Sequence, residues 1–317
     1  MNSYPDSLRL THRQELCEGI VLFRLSALDG GSLPAFKAGA HLSVKTPSGQ
    51  NRSYSLCSSP NETQFYELAI KREDKGRGGS TSMVDQLKVG DILEVVEGAN
   101  YFELKEGQAR YIFVAGGIGI TPILSMMQSL IHQGVGDFVL HYCTREQEST
   151  PFWDVLSQEP FASHVRFHHD GGDPKRSFDF WPVFERTSNA HIYCCGPQGL
   201  MDSVRDMTGH WPSEQVHFES FGAAAVDPSL NAEFSVKLQS SGKVIPVPAD
   251  QSILQALKQA GLQVPSSCES GTCGSCRVGL VQGEADHRDF VLMDDEYDKA
   301  IMICVSRAKC DQLVLDL

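Results

Sequence analysis

Four cysteines carry the most specific chemistry in this chain. Cys268, Cys273 and Cys276 stand in the run C-E-S-G-T-C-G-S-C, and Cys304 follows at a distance. The C-x4-C-x2-C…C spacing is that of a plant-type [2Fe–2S] centre, in which four thiolates surround two irons. Such a loop must wrap its backbone around inorganic sulfide. Gly271 and Gly274 permit the backbone angles and the close approach this needs. A zinc site is the alternative, but zinc usually takes cysteines as two close pairs or together with histidines. The pattern predicts an electron carrier at the C-terminal end.

Other residues could hold phosphate. Gly116, Gly117, Ile118, Gly119, Ile120, Thr121 and Pro122 follow an apolar strand-like run and precede a helix. Glycines at such a turn let backbone N–H groups approach an anion that the helix N-terminus favours. Thr121 would cap the helix and Pro122 would suit its first turn. A tight strand–helix turn with no ligand is the plain alternative, since the run is not the G-x-G-x-x-G fingerprint. Cys194-Cys195-Gly196-Pro197 ends a further strand. Ligands of open parallel sheets bind at the carboxyl ends of strands, so the two glycine-bearing ends point at one crevice. Cys195 could equally be a packed small thiol.

Arg52, Ser53, Tyr54 and Ser55 offer a fork for phosphate, a flat ring and two hydroxyls. By themselves they read as an ordinary strand. Lys71 to Ser80, K-R-E-D-K-G-R-G-G-S, could cradle a second phosphate, with Ser80 capping a helix over 81–87, or could be a charged hairpin loop. His168 and His169 are neighbours on a strand and face opposite ways, which argues against a shared metal.

Three blocks must position these residues. Residues 1–106 alternate short apolar runs (20–27, 41–46, 65–71, 92–97) with Gly-rich breaks, which predicts a small antiparallel β-barrel. Residues 107–226 alternate strand-like runs (111–115, 138–142, 165–168, 191–195) with helices from 122 and over 198–207. That rhythm predicts an α/β domain with a parallel sheet. A small, polar stretch at 222–231 reads as a linker. Residues 227–317 read as an α+β block with strands near 234–238 and 243–247 and a helix over 253–260, capped by Ser252 or Asp250.

Composition sets the setting. Of 317 residues, 41% are hydrophobic and 21% charged, ordinary for a globular chain. No apolar run approaches the ~18 residues of a membrane helix. The start lacks a basic stretch followed by an apolar core, so no secretory signal is expected. Six further cysteines, several in apolar runs, suit a reducing, cytoplasmic setting. A formal charge of −13 reads against nucleic acid or an anionic membrane as partner.

Taken together, residues 52–55, 116–122 and 195–197 and the cysteine run resemble the phthalate dioxygenase reductase family. This is a branch of the ferredoxin–NADP⁺ reductase superfamily with a plant-type, β-grasp ferredoxin domain at its C-terminus. The resemblance spans the chain and includes H-H-D-x-G-D-P, C-C-G-P-Q, M-T-G-H-W-P-S, H-F-E-S-F-G and G-E-A-D-H-R-D. It implies a barrel that holds FMN through Arg52, Ser53, Tyr54, Ser55, Ala69, Ile70, Lys71, Gly78, Gly79, Ser80 and Thr121. Phe221 would lie over the flavin. NADH would be bordered by Gly116 to Pro122, Cys195, Gly196 and Pro197, with Thr144, Arg145, Glu146 and Asp170 near its adenosine half. Ser55, Cys195 and Phe221 would serve catalysis. Cys268, Cys273, Cys276 and Cys304 would hold the [2Fe–2S] cluster. The implied route is NADH to FMN to [2Fe–2S] to a Rieske-type terminal oxygenase that hydroxylates an aromatic acid. Flavin stands between because it handles both hydride and single electrons. Other acceptors, such as an aryl-ether O-demethylase, and a non-enzymatic zinc module are the rivals.

Overall fold

A computed structural model describes residues 4–74, 76, 78–221, 231–266, 269, 271, 274–289, 291–292 and 296–317. The chain forms two compact units, Met1–Glu219 and Ser220–Leu317.

The first unit opens with six strands: β1 (Ser7–Cys17), β2 (Ile20–Ala27), β3 (His41–Lys45), β4 (Asn51–Ser55), β5 (Tyr66–Lys71) and β6 (Ile92–Ala99), with helix α1 (Gly79–Gln86) between the last two. They form one antiparallel sheet in the order β4-β3-β6-β1-β2-β5. A bridge between Leu56 and Leu68 joins its two edges into a barrel. β2 opens on a continuous apolar run, residues 20–23, because both faces are covered there. Val21, Phe23 and Leu25 fill the barrel, while Leu22 faces a second core shared with the next sheet. β1 was not expected from the sequence. Leu8 and Leu10 are fully buried, but the register shifts between Leu10 and His12 and the rest of the strand is polar.

The second sheet is wholly parallel: β7 (Arg110–Gly116), β8 (Phe138–Thr144), β9 (Val165–His169), β10 (Ala190–Cys195) and β11 (Val216–Glu219), in the order β11-β10-β7-β8-β9. Helices α2 (Ile120–His132), α3 (Trp153–Leu156), α4 (Trp181–Phe184) and α5 (Gln198–Thr208) connect the strands. Chain order runs outward in both directions from β7. The crevice of this topology therefore lies at the carboxyl ends of β7 and β10. The expected α/β architecture is present. α2 begins two residues earlier than expected, and β11 was not foreseen.

The second unit holds β12 (Phe234–Leu238), β13 (Val244–Val247), α6 (Ile253–Gln259), β14 (Arg277–Gln282), β15 (Ala285–Asp286), β16 (Ala300–Met302), β17 (Arg307–Ala308) and β18 (Gln312–Asp316). Five strands form a mixed sheet, β13-β12-β18-β14-β16, with α6 packed on it in the expected β-grasp manner. Ser252 caps α6 in a full capping box. Its Oγ accepts the Gln255 N–H at 3.2 Å, and Gln255 Oε1 accepts the Ser252 N–H at 2.9 Å. That settles the choice between Ser252 and Asp250. Most of the expected linker, 222–230, lies outside the described residues.

Candidate functional site

The barrel's seam builds the first part of the site. Among the described residues, β4 and β5 are bridged only at Leu56–Leu68, so Asn51–Ser55 and Ala69–Lys71 edge an opening. α1 starts beside it, capped by Gly78, which has φ +87°. The expected cap, Ser80, is the second residue of the helix and its Oγ instead accepts the Glu73 N–H at 3.1 Å. A left-handed residue is what this tight entry needs, and serine would be strained there. Arg52 lies across the start of α1. A Cβ on Gly79 would stand 2.8 Å from its Nε, so only glycine leaves this cradle open. The guanidinium donates to the Asn51 carbonyl at 2.8 Å and to the side chain of Gln50. Lys71 is exposed and lies 3.7 Å from Glu73.

Tyr54 flanks the same opening. Its hydroxyl is buried with no hydrogen-bond partner among the described residues, and burial pushes its phenol up to about 12. Buried hydroxyls are normally paired. An anion cradle at a helix N-terminus beside an orphaned tyrosine hydroxyl fits a phosphorylated, planar group such as a flavin. Ala69 and Ile70 are buried in the two cores, so they offer the opening only backbone.

The second part lies where the parallel sheet reverses order. A Cβ on Gly116 would stand 2.5 Å from Pro197 Cδ, and one on Gly196 2.9 Å from Gly116 Cα. A Cβ on Gly119 would stand 2.2 Å from the Cys195 carbonyl oxygen. These three glycines let the turns after β7 and β10 lock together. Gly117 differs: it has φ +52°, and a Cβ there would meet nothing within 4 Å. Its carbonyl accepts the Tyr142 hydroxyl at 2.9 Å. Of the four glycines in these two turns, it alone faces open space. Thr121 does not cap α2, because the helix begins at Ile120 with Gly119 as cap. The Thr121 hydroxyl is buried and donates to the Ile118 carbonyl at 3.1 Å, with Pro122 next in the first turn.

The carboxyl ends of β8 and β9 bring Thr144, Arg145 and Asp170 together. The Asp170 and Gly171 N–H groups donate to the Thr144 and Arg145 carbonyls at 3.3 and 2.8 Å. Asp170 Oδ1 accepts the Gly172 N–H at 2.7 Å, closing an Asx turn. Thr144 Oγ1 lies 2.7 Å from Thr150 Oγ1 and 2.9 Å from His169 Nδ1, while Arg145 and Glu146 are exposed. His168 turns the other way, to His141 at 3.0 Å and the Phe178 ring at 3.8 Å.

The two parts meet through a residue the sequence reading passed over. Glu219, at the end of β11, is buried, and its Oε2 accepts the Ser55 hydroxyl at 3.4 Å. Cys195 ends the neighbouring strand β10, directly beside Glu219 in the ladder. Burial, reinforced by the Glu219 carboxylate, drives its thiol well above the usual range. A neutral thiol, a hydroxyl and a buried carboxylate therefore line the junction of barrel and sheet. The signal was present in H-F-E-S-F-G, where a carboxylate follows a strand, but its partner is remote in sequence. Phe221, in the second unit, is 47% exposed.

In the second unit, Cys268 and Cys273 lie outside the described residues. Cys276 and Cys304 are buried, at the ends of β14 and β16, and the Ile303 N–H donates to the Cys276 carbonyl at 3.3 Å. The N-terminus of α6 joins in, with the Leu254 N–H donating to the Ile303 carbonyl at 2.9 Å. Gly271 and Gly274 both have φ +78°, as a wrapped cluster loop needs. Glu269, at φ +50° without being glycine, pairs with Lys258 of α6 at 2.8 Å. Two anchored cysteines at one end of a sheet, beside a glycine-turned loop, fit thiolate ligation of an iron–sulfur cluster.

Known proteins agree with this arrangement. The model of the oxidoreductase FAD-binding domain matches residues 7–100, and that of the 2Fe-2S iron-sulfur cluster binding domain matches 236–309. The phthalate dioxygenase reductase of Burkholderia cepacia is 51% identical over 311 residues, covering 98% of this chain and 97% of that protein. A phthalate 4,5-dioxygenase oxygenase reductase subunit of Pseudomonas putida is 52% identical, covering 98% and 96%. A solved phthalate dioxygenase reductase, described as a modular structure for electron transfer from pyridine nucleotides to [2Fe-2S], matches with a TM-score of 0.79 at 50% identity over 99% of this chain and 98% of that one. With these relatives matched end to end, the chain belongs to the phthalate dioxygenase reductase family and is a flavin- and [2Fe–2S]-type oxidoreductase.

Proposed function

We propose that this chain is the NADH-dependent reductase of a Rieske-type aromatic-ring oxygenase, with phthalate as the oxygenase's substrate. Electrons pass from NADH to FMN, to the [2Fe–2S] cluster and then to the oxygenase, in three modules close to residues 1–106, 107–226 and 227–317. The observation that carries the reading is the meeting of Ser55, Cys195 and Glu219 at the junction of barrel and sheet. Bound flavin supplies the exchange between two-electron hydride chemistry and one-electron delivery. The residues supply place and protons. Arg52, Lys71 and the N-terminus of α1 at Gly78, Gly79 and Ser80 hold the flavin phosphate. Tyr54 gives the ring a flat face. Gly117 leaves room for the dinucleotide, while Thr144, Arg145 and Asp170 edge its adenosine half. Ser55 and Glu219 share a proton at their oxygens, and the buried Cys195 thiol keeps water from the junction.

Cysteine usage supports a cytoplasmic setting. No described helix is long and apolar enough to cross a membrane. The test is purified protein, its released flavin identified, then NADH-driven turnover with candidate oxygenases and identification of the product. FMN, cluster absorption and a dihydroxylated phthalate product are expected. A colourless, zinc-loaded protein would sink the electron-transfer reading. Turnover only with a different oxygenase would move the partner assignment.

A further inference from the structure

Asp289 stands apart from the other acids around it. Its side chain is 0% exposed, and a buried carboxylate is costly unless hydrogen-bonded. Oδ2 accepts the N–H groups of Val291 at 3.1 Å and Leu292 at 2.9 Å. Oδ1 accepts the Ser306 hydroxyl at 3.2 Å, and His287 Nδ1 lies 3.8 Å from it. Ser306 is itself fully buried and accepts the Arg288 N–H at 3.1 Å.

Two contacts join this knot to the cysteines. Ser306 follows Cys304 by one intervening residue, in a turn closed by the Ser306 N–H donating to the Met302 carbonyl at 3.0 Å. Gly271, between Cys268 and Cys273 in sequence, has no room for a side chain. A Cβ there would stand 2.7 Å from Val305 Cγ2, 3.2 Å from Asp289 Cα and 3.3 Å from Asp289 Cβ. Asp289 and Val305 thus form the wall on which Gly271 rests, and the Ser306 bond ties that wall to the turn of Cys304.

We propose that Asp289 is a positioning residue for the iron–sulfur centre: it holds the Cys304 turn in register with the cluster loop at Gly271 and so sets how firmly the cluster is retained. The inference rests on the cluster reading above. Asp289 is not a ligand; it acts through Ser306, Val305 and Gly271. Partners that orient metal ligands typically contribute about 10–100-fold in metal retention.

The test uses the full, cluster-loaded chain and its Asp289→Asn, Ser306→Ala and Asp298→Asn variants. The cluster's visible absorption is followed in excess chelator, and the reduced cluster's paramagnetic resonance is recorded. Asp289→Asn should bleach about tenfold faster or more, with a changed resonance. Ser306→Ala, which removes one bond, should move the same way by less, and the exposed Asp298→Asn should match the parent. If Asp289→Asn and Ser306→Ala both bleach at the parental rate, the proposal is wrong even if unfolding temperatures fall, because the acid then serves the fold alone. If Asp289→Asn does not fold, Ser306→Ala decides by the same measure. A parent that takes up no cluster overturns the underlying reading itself.

Discussion

Alanine at Gly119 and alanine at Gly117 should fail in opposite ways. At Gly119 the new methyl carbon would stand 2.2 Å from the Cys195 oxygen, 2.5 Å from its carbonyl carbon and 2.8 Å from the Gly196 nitrogen. All three are backbone atoms, so no side chain can swing aside. Comfortable carbon contacts begin near ~3.5 Å, so the two turns must part by roughly 1 Å. Overpacking of this kind costs about 1–3 kcal/mol, and the rigid surroundings favour the upper end. Each kcal/mol moves the melting temperature of a unit this size by about 2–4 °C, which makes the expected loss about 6–12 °C. At Gly117 the methyl meets nothing within 4 Å, and the cost is the φ of +52° alone. That strain is about 1 kcal/mol, or about 2–4 °C. Its methyl instead enters the space proposed above for the dinucleotide, so on that reading KM for NADH should rise roughly tenfold, the equivalent of about 1.4 kcal/mol of binding. Thermal unfolding followed by flavin fluorescence, beside steady-state NADH oxidation with a dye, separates the two. A Gly119→Ala protein that melts with the parent, or a Gly117→Ala protein with the parental KM, would refute the division of labour between these glycines.

Arg52→Ala should weaken flavin retention roughly 10–100-fold, the size of a charge-assisted bond, with Lys restoring it in part; flavin content after long dialysis checks this. Ser55→Ala should slow reduction of the flavin by NADH roughly tenfold or more in single-turnover mixing while leaving flavin bound, and an unchanged rate would remove Ser55 from the proton path. Burial, then the neighbouring His168 and His191, hold His141 and His217 down to about 4. Because the unfolded chain takes up these protons first, their stabilisation is whole above about pH 6.5 and is lost as pH falls toward 4, by about 2 kcal/mol each. Denaturant unfolding between pH 7 and 4.5 should show the decline, and His141→Gln with His217→Gln should flatten it.

What was legible in the sequence was whatever depends on neighbours along the chain. The strand–glycine–helix turn at 116–122 and the Ser252 capping box are local, and they stand where the residue types put them. β1 escaped because its bulge at Leu10/His12 breaks the alternation that marks a strand. Ser80 and Thr121 were the wrong caps for a shared reason: a glycine just before each helix takes the capping position. Glu219 was invisible as a site residue because what makes it one is burial beside Ser55, and no local pattern reports that contact.

The acidic stretch from Glu284 to Asp298 shows the same limit in electrostatic terms. Counted along the chain it carries seven acids against only His287 and Arg288, a natural surface for steering a basic partner. In the fold, Glu284 lies 3.6 Å from Lys309, Asp286 2.5 Å from Arg288 and Glu296 2.8 Å from Arg277. Asp289 is enclosed, and Asp294 and Asp295 lie outside the described residues. Of the described acids, Asp298 keeps the most open side chain, and Lys299 is still 4.0 Å from it. A field felt at a distance sums over both signs, and pairs this close cancel within a Debye length of about 8–10 Å. The described part of the stretch therefore presents far less negative potential than its composition suggests. Its most distinctive acid looks inward, where hydrogen bonding to the turn of Cys304 gives a carboxylate work that charge counting cannot reveal.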